Sequence, residues 1–192
     1  YGVVGIISPW NFPVNLSIGP LVDAFSAGNA GMIKLSEFVP STSRLLEQLI
    51  CEKFDESEVV VINGGMQTSI DFTKLPFDHL IYTGSTDIAR KVSSEAAKNL
   101  VPLTLELGGK SPTILSNGAS IDKSVNKILF GKLLNGGQIC VSPDYSFIPE
   151  QKVEQFIETS RNFISEKFPT IKNNPDYTSL VHQSHYERVK SY

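Results

Sequence analysis

The sequence predicts an α/β fold, a parallel and doubly wound sheet followed by the beginning of a second α/β unit. Short runs rich in Val, Ile and Leu alternate with stretches whose apolar residues recur at helical spacing. Gly, Pro, Ser or Thr punctuates most changes from one to the other. At Gly108-Gly109 the alternation halts and restarts, which places a domain seam there. Residues 1–108 and 109–192 are thus the expected units.

The elements follow in order. Val3–Ile7 is a buried strand. Leu16, Leu21, Val22 and Phe25 mark a helix that Gly28 closes, and Ala30–Leu35 is the second strand. Ser41 is the expected N-cap of a helix carrying Leu45, Leu46, Leu49, Ile50 and Phe54 on one face. Val59–Ile62 is the third strand, ended by Gly64-Gly65, and His79–Thr83 is the fourth. Gly84-Ser85-Thr86 then opens a helix bearing Ile88, Ala89, Val92 and Ala96, and Leu103–Leu107 is the fifth strand. Beyond the seam, Pro112–Leu115 and Tyr145–Ile148 are strands. Ile121–Leu134 and a segment from about Gln151 to Phe168 are helices, and the polar, Pro/Asn-rich stretch from Pro169 to Asp176 is a loop.

Composition narrows the function. Of 192 residues, 41% are hydrophobic and 19% charged, an ordinary globular balance. The 17 basic and 20 acidic residues give a net charge of −3 with no basic cluster, which disfavours nucleic acid and anionic membranes as partners. No apolar run approaches the ~20 residues of a membrane span. Two cysteines, Cys51 and Cys140, form no disulfide framework and fit a reducing compartment. No Cys/His cluster has zinc-ligand spacing, so no metal is expected. The opening at Tyr1, without Met, and the close at Tyr192, within an unfinished helical pattern, read as a piece of a longer polypeptide.

Cys140, in Asn-Gly-Gly-Gln-Ile-Cys-Val-Ser, is the candidate nucleophile. Gly136-Gly137 permits a tight turn that leaves a backbone amide able to face an oxyanion. Cys51 lies among Leu49, Ile50 and Phe54 and reads as a core cysteine. Glu106, between Leu105 and Leu107, is a partly desolvated carboxylate, the environment that suits a general base; the alternative is a strand-end glutamate paired with Lys110. Asn11, flanked by the prolines of Pro-Trp-Asn-Phe-Pro, is a rigid carboxamide donor or an Asx-turn residue.

Lys34 and Glu37 end the second strand, where an acidic residue can hold ribose hydroxyls; two solvated charges would look the same. Gly84 and Ser85 precede a helix whose first amides can meet a pyrophosphate, or they form a plain capping turn. The Gly-x-Gly-x-x-Gly fingerprint is missing after the first strand.

Together, Pro-Trp-Asn-Phe-Pro, Lys-x-Ser-Glu, Thr-Gly-Ser-Thr, Leu-Glu-Leu-Gly-Gly-Lys-Ser-Pro and Gly-Gln-Ile-Cys resemble the aldehyde dehydrogenase superfamily in order and spacing. Cys140-Val-Ser-Pro-Asp-Tyr145 resembles its class 3 and coniferyl aldehyde dehydrogenase branch. The resemblance implies a variant Rossmann sheet at 1–108, the start of a catalytic domain at 109–192, and NAD⁺- or NADP⁺-dependent oxidation of an aldehyde to an acid.

It assigns Cys140 as nucleophile, Asn11 and the Cys140 amide as oxyanion donors, and Glu106 as the base that activates water. It gives Lys34 and Glu37 to the adenine ribose, Gly84 and Ser85 to the pyrophosphate, and Trp10 to the substrate entry. It also implies aromatic or medium-chain aldehydes, a homodimeric full-length protein in the cytoplasm, and an inactive piece when isolated. Leu35 and Ala89 depart from the family's usual proline and glycine. A CoA-acylating relative, a non-catalytic scaffold on the same fold and a nicotinamide-independent cysteine hydrolase are the competing readings. Retained Glu106 argues against the first, and Asn11, Glu106 and Cys140 together against the second. No histidine is obviously placed to serve the third.

Overall fold

The computed structural model describes residues 2–192; Tyr1, which opens the first β-rich run, lies outside them. The chain divides into two compact units, Tyr1–Leu107 and Gly108–Tyr192.

The first unit is built on β1 (Val3–Ile7), β2 (Ala30–Lys34), β3 (Val59–Ile62), β4 (His79–Gly84) and β5 (Leu103–Leu107). All pair in parallel, in the order β3-β2-β1-β4-β5. Helices α1 (Asn15–Ser26), α2 (Pro40–Cys51), α3 (Met66–Phe72) and α4 (Thr86–Ala96) make the four crossovers. The strand order reverses at β1, where the chain returns from β3 to add β4 on the other side. That reversal is the doubly wound pattern, and it sends the helices to both faces.

Two cores result. Val4, Ile6, Ile33, Val59 and Val61 pack with Leu21, Ala24, Leu46 and Ile50 of α1 and α2. Leu80 and Tyr82, flanked by Ile7, Met32 and Ile62, pack with Phe72, Ala89, Val92 and Ala96 of α3 and α4. Neighbouring strand residues thus enter opposite cores, as the two-residue period of a strand requires.

The second unit contains β6 (Ser111–Ile114), α5 (Ile121–Leu133), β7 (Pro143–Phe147), α6 (Val153–Lys167) and α7 (Gln183–Lys190). β6 and β7 pair in parallel, with an irregularity between Ser111 and Pro112. Its core is small: Leu115, Ile121 and Val125 are buried, with Ile128, Leu129, Phe156 and Phe163 against them.

Several expectations change. The second helix starts at Pro40 with Val39 as its N-cap, so Ser41 lies inside it. Proline at the first helical position suits a site whose amide has no intrahelical partner. Leu46 and Ile50 are buried, whereas Leu45, Leu49 and Phe54 are exposed. Cys51 is exposed as well, which corrects its reading as a core residue. The short α3 was not anticipated; it follows directly on Gly64-Gly65. Strands β6 and β7 begin one and two residues earlier than expected. Gly28 does close α1: its φ of +77° is a left-handed conformation that glycine adopts at little cost.

Candidate active site

In the first unit, most of the candidate residues occupy one edge of one sheet. Register pairs Ile7 with both Lys34 and Tyr82, Thr83 with Glu106, and Gly84 with Leu107. Because the strands are parallel, the segments that leave β1, β2, β4 and β5 all depart from the same edge. These segments carry Trp10 and Asn11, then Glu37, then Ser85, with Lys34, Gly84 and Glu106 on the strand ends themselves. The β1–β4 reversal lies along this edge, the place where open parallel sheets bind nucleotides.

Each residue has a local cause for its position. The Ser8 amide extends the β1 ladder by donating to the Lys34 carbonyl at 3.0 Å. The chain then bends through Trp10, Asn11 and Phe12, all half-buried, and the Phe12 carbonyl accepts the Leu16 amide at 3.0 Å. Ser17 donates to the Pro13 carbonyl at 2.6 Å, which ties this turn to α1.

Lys34 is only 1% exposed, and its Nζ donates to the Leu35 carbonyl at 2.5 Å. Burial pushes this amine below its ordinary value, with the Glu37 carboxylate partly opposing the shift. Glu37 itself is exposed. The pair is therefore a buried amine and an open carboxylate at one strand end, not two solvated charges.

Ser85 is the N-cap of α4, its Oγ accepting the Ile88 amide at 3.4 Å. The first amides of a helix have no intrahelical acceptors and form an anion-binding end. A Cβ on Gly84 would fall 2.2 Å from the Tyr82 hydroxyl, so this strand end is packed up to its backbone. Ala89 is 2% exposed and packs within the second core, so its methyl group serves the interior.

Glu106 is exposed on β5, an outer strand of this sheet. The side chain is open where the sequence pointed to a partly buried one, because among the described residues no strand pairs beyond β5. Lys110, its alternative partner from the sequence, instead bonds Asp144 at 3.0 Å and lies 5.2 Å from the Tyr192 ring centre.

Cys140 belongs to the second unit and is also exposed. Asn135, Gly136 and Gly137 precede it with φ of +52°, +63° and +76°, a run of left-handed backbone after α5. The amide of Ser142 then donates to the Ile139 carbonyl at 3.1 Å, so Cys140 rides on a hydrogen-bonded turn. The donor in that bond is the Ser142 amide, not the Cys140 amide. Ser142 is buried, and its Oγ donates to the Gly131 carbonyl at 3.4 Å. Sequence reasoning missed Gln138, whose side chain reaches Asn135, Ser179 and Val181. Its position two residues before the cysteine was its only signal.

The donor set fits a dinucleotide in the first unit: an amine and a carboxylate at the end of β2, a helix N-terminus after β4, and a glycine between strand and helix. Among the described residues no cluster could hold a metal ion, and no helix is long and apolar enough to cross a membrane.

The aldehyde dehydrogenase family model matches residues 1–192. The chain is 54% identical over its full length to a protein of Caulobacter vibrioides named probable coniferyl aldehyde dehydrogenase, of which it spans 39%. Its fold superimposes on Staphylococcus aureus AldH, described in a substrate-bound state, with a TM-score of 0.93 and 40% identity, covering all of this chain and 42% of that one. A Mycobacterium tuberculosis aldehyde dehydrogenase complexed with NAD⁺ matches at a TM-score of 0.87 and 29% identity, covering 100% and 40%. The chain thus spans about two fifths of the relatives it matches. With a family model matching it from end to end, and with the sheet edge and cysteine turn in place, this chain belongs to the aldehyde dehydrogenase family.

Proposed function

We propose that the whole protein oxidises an aldehyde to a carboxylic acid with NAD⁺ or NADP⁺. The observation that carries this reading is the gathering of Asn11, Lys34, Glu37, Gly84, Ser85 and Glu106 along one edge of a parallel sheet. The first unit binds the cofactor: Lys34 and Glu37 hold the adenine ribose, and Gly84 and Ser85 lie against the pyrophosphate. Glu37 favours NAD⁺, since its carboxylate repels the additional 2′-phosphate of NADP⁺.

The second unit supplies the nucleophile. The Cys140 thiolate attacks the aldehyde carbon, forming a C–S bond while the carbonyl oxygen gains negative charge. The Asn11 side-chain amide and the Cys140 backbone amide stabilise that oxygen. The chemistry a nicotinamide held by the first unit would supply is acceptance of the hydride, the two electrons and hydrogen that this carbon loses. A thioester remains on Cys140. Glu106 takes a proton from water, the resulting hydroxide attacks the thioester, and the C–S bond breaks to release the acid and restore the thiolate. An open carboxylate on an outer strand suits a base that must meet water in each cycle.

Trp10 lines the substrate entry in this reading. The name of the Caulobacter vibrioides relative, with the Cys140-Val-Ser-Pro-Asp-Tyr145 motif, supports an aromatic aldehyde such as coniferaldehyde. The reading also places the whole protein in the cytoplasm as a homodimer, supported by its free cysteines and its family.

The test is NAD⁺ reduction by the whole protein with coniferaldehyde, benzaldehyde and hexanal, beside its Cys140→Ser variant. Acid and NADH should form in equal amounts, with activity lost in the variant. A requirement for CoA, or turnover that survives the substitution, would overturn the proposal.

A further inference from the structure

The carboxamide of Gln138 joins two segments of the second unit that lie far apart in sequence. Its Nε2 donates to the Asn135 carbonyl at 2.9 Å and to the Ser179 carbonyl at 3.1 Å. Its Oε1 accepts the Val181 amide at 3.0 Å. Gly136 faces the same segment: a Cβ there would fall 2.7 Å from the Thr178 carbonyl oxygen. Its φ of +63° also favours glycine. Thus the loop before Cys140 and the Thr178–Val181 segment meet backbone to backbone, with one carboxamide donating to a carbonyl on each side and accepting an amide from the second.

The rest of the cysteine turn is fixed from the opposite direction. Gly137 lies against the Lys132 carbonyl, where a Cβ would come within 3.0 Å, and Ser142 holds the far end of the turn to Gly131. Built on Gly108, a Cβ would lie 3.8 Å from the Cys140 Cα, so that glycine backs the turn closely. Cys140 itself is exposed, and no packing interior holds it. Its orientation therefore depends on how the loop is tied, and Gln138 is the tie two residues away.

We propose that Gln138 is a positioning residue for Cys140, clasping the nucleophile turn to the Thr178–Val181 segment so that the thiol and its backbone amide keep one arrangement. This rests on the reading of Cys140 as nucleophile. Gln138 touches no reacting atom; it acts through the turn. Losing the clasp would spread the thiol over several orientations, and misplacement of a reacting group by about 1 Å can cost on the order of 100-fold in rate.

The test uses the whole protein with Gln138→Met, which keeps similar length without donor or acceptor, and Gln138→Glu, which retains the acceptor for Val181 but not the amide donor. Turnover is expressed per Cys140 thiol of the folded fraction isolated by size-exclusion chromatography, with labelling read at Cys140 by peptide mass spectrometry to separate it from the exposed Cys51, so unfolded molecules do not count. With Gln138→Met, per-thiol kcat should fall about 10- to 100-fold with KM little changed. Hydrogen exchange at the Val181 amide should quicken about tenfold, the loss expected for one hydrogen bond. Gln138→Glu should keep that amide protected while still losing turnover, and it carries the test should Gln138→Met fail to fold.

Per-thiol turnover that stays unchanged while thermal stability or the number of active thiols falls would make Gln138 merely structural and overturn the proposal. Unchanged exchange at Val181 in Gln138→Met would overturn it too. If the unmodified protein oxidises no aldehyde, the rate of Cys140 alkylation by iodoacetamide still reads the clasp. A severalfold change in Gln138→Met would support it, and an unchanged rate would refute it.

Discussion

The two units hold their candidate residues in different ways. In the first, five parallel strands carry helices on both faces, and the candidate residues along the sheet edge extend from two cores. In the second, three buried apolar residues support a two-stranded sheet, while Ile114, Phe130 and Phe147 remain exposed at 75%, 65% and 58%. A strand-end residue in the first unit inherits its position from core packing. Cys140 receives its position from left-handed backbone and a few hydrogen bonds. Pre-organisation can thus come from burial or from loop ties, and the second source is the more easily disturbed.

Core truncation gives the largest expected contrast. Leu80→Ala, at a site with 0% exposure, should destabilise the first unit by about 2–5 kcal/mol. Leu115→Ala, at 8% exposure, should fall near the bottom of that range because its surroundings can relax into the space. Local unfolding energies from hydrogen exchange would compare the units separately. Equal losses would break the contrast. Without substitution, amides of β6 and β7 should also exchange faster than those of β1 and β4. Comparable protection would show that the small core suffices.

Within the first unit, Lys34 shows what burial does to a charged side chain. Burial holds its pKa below 10.5, outweighing the opposing effect of Glu37. Between the lowered value and 10.5 the unfolded chain keeps a proton that the folded chain releases, so stability rises with pH through this window. Below it the charged, buried amine weakens the fold. Lys34→Met should remove that rise, seen as the difference between the variant's and the parent's thermal midpoints across pH, and should weaken NAD⁺ binding. Parallel pH profiles would show that the amine is not desolvated in solution.

The smallest effect belongs to the helix cap. Ser85→Ala removes a 3.4 Å bond and should cost at most about 1 kcal/mol, measured by denaturant unfolding. A larger loss would mean that the α4 terminus is held less by its core than the first unit's packing implies.

The sequence was most legible where packing repeats a simple period. Strands β1 to β5 matched their expected positions to within a residue, because β-branched residues facing two cores leave a continuous apolar run. The helix faces were less legible: Leu45 and Leu49 share the apolar stripe of α2 yet remain exposed, since only part of that stripe meets the sheet. Ser41 looked like a cap, but Pro40 had already set the first helical φ.

Glu106 was readable as a motif residue but not as an exposed one, because an outer strand and an inner strand have similar apolar patterns. Gln138 was the hardest to read. Its partners are backbone groups, two of them about forty residues away, and no side-chain pattern announces them.

If Cys140 forms a thioester which Glu106 helps water to cleave, rapid-mixing kinetics on the whole protein carrying Glu106→Gln will separate the two steps. One NADH should appear per active Cys140 in a fast burst, followed by turnover about 10²- to 10⁴-fold slower, with an acyl group detectable on Cys140 by mass spectrometry. Undiminished steady turnover, or the absence of both burst and acylated cysteine, would contradict the account.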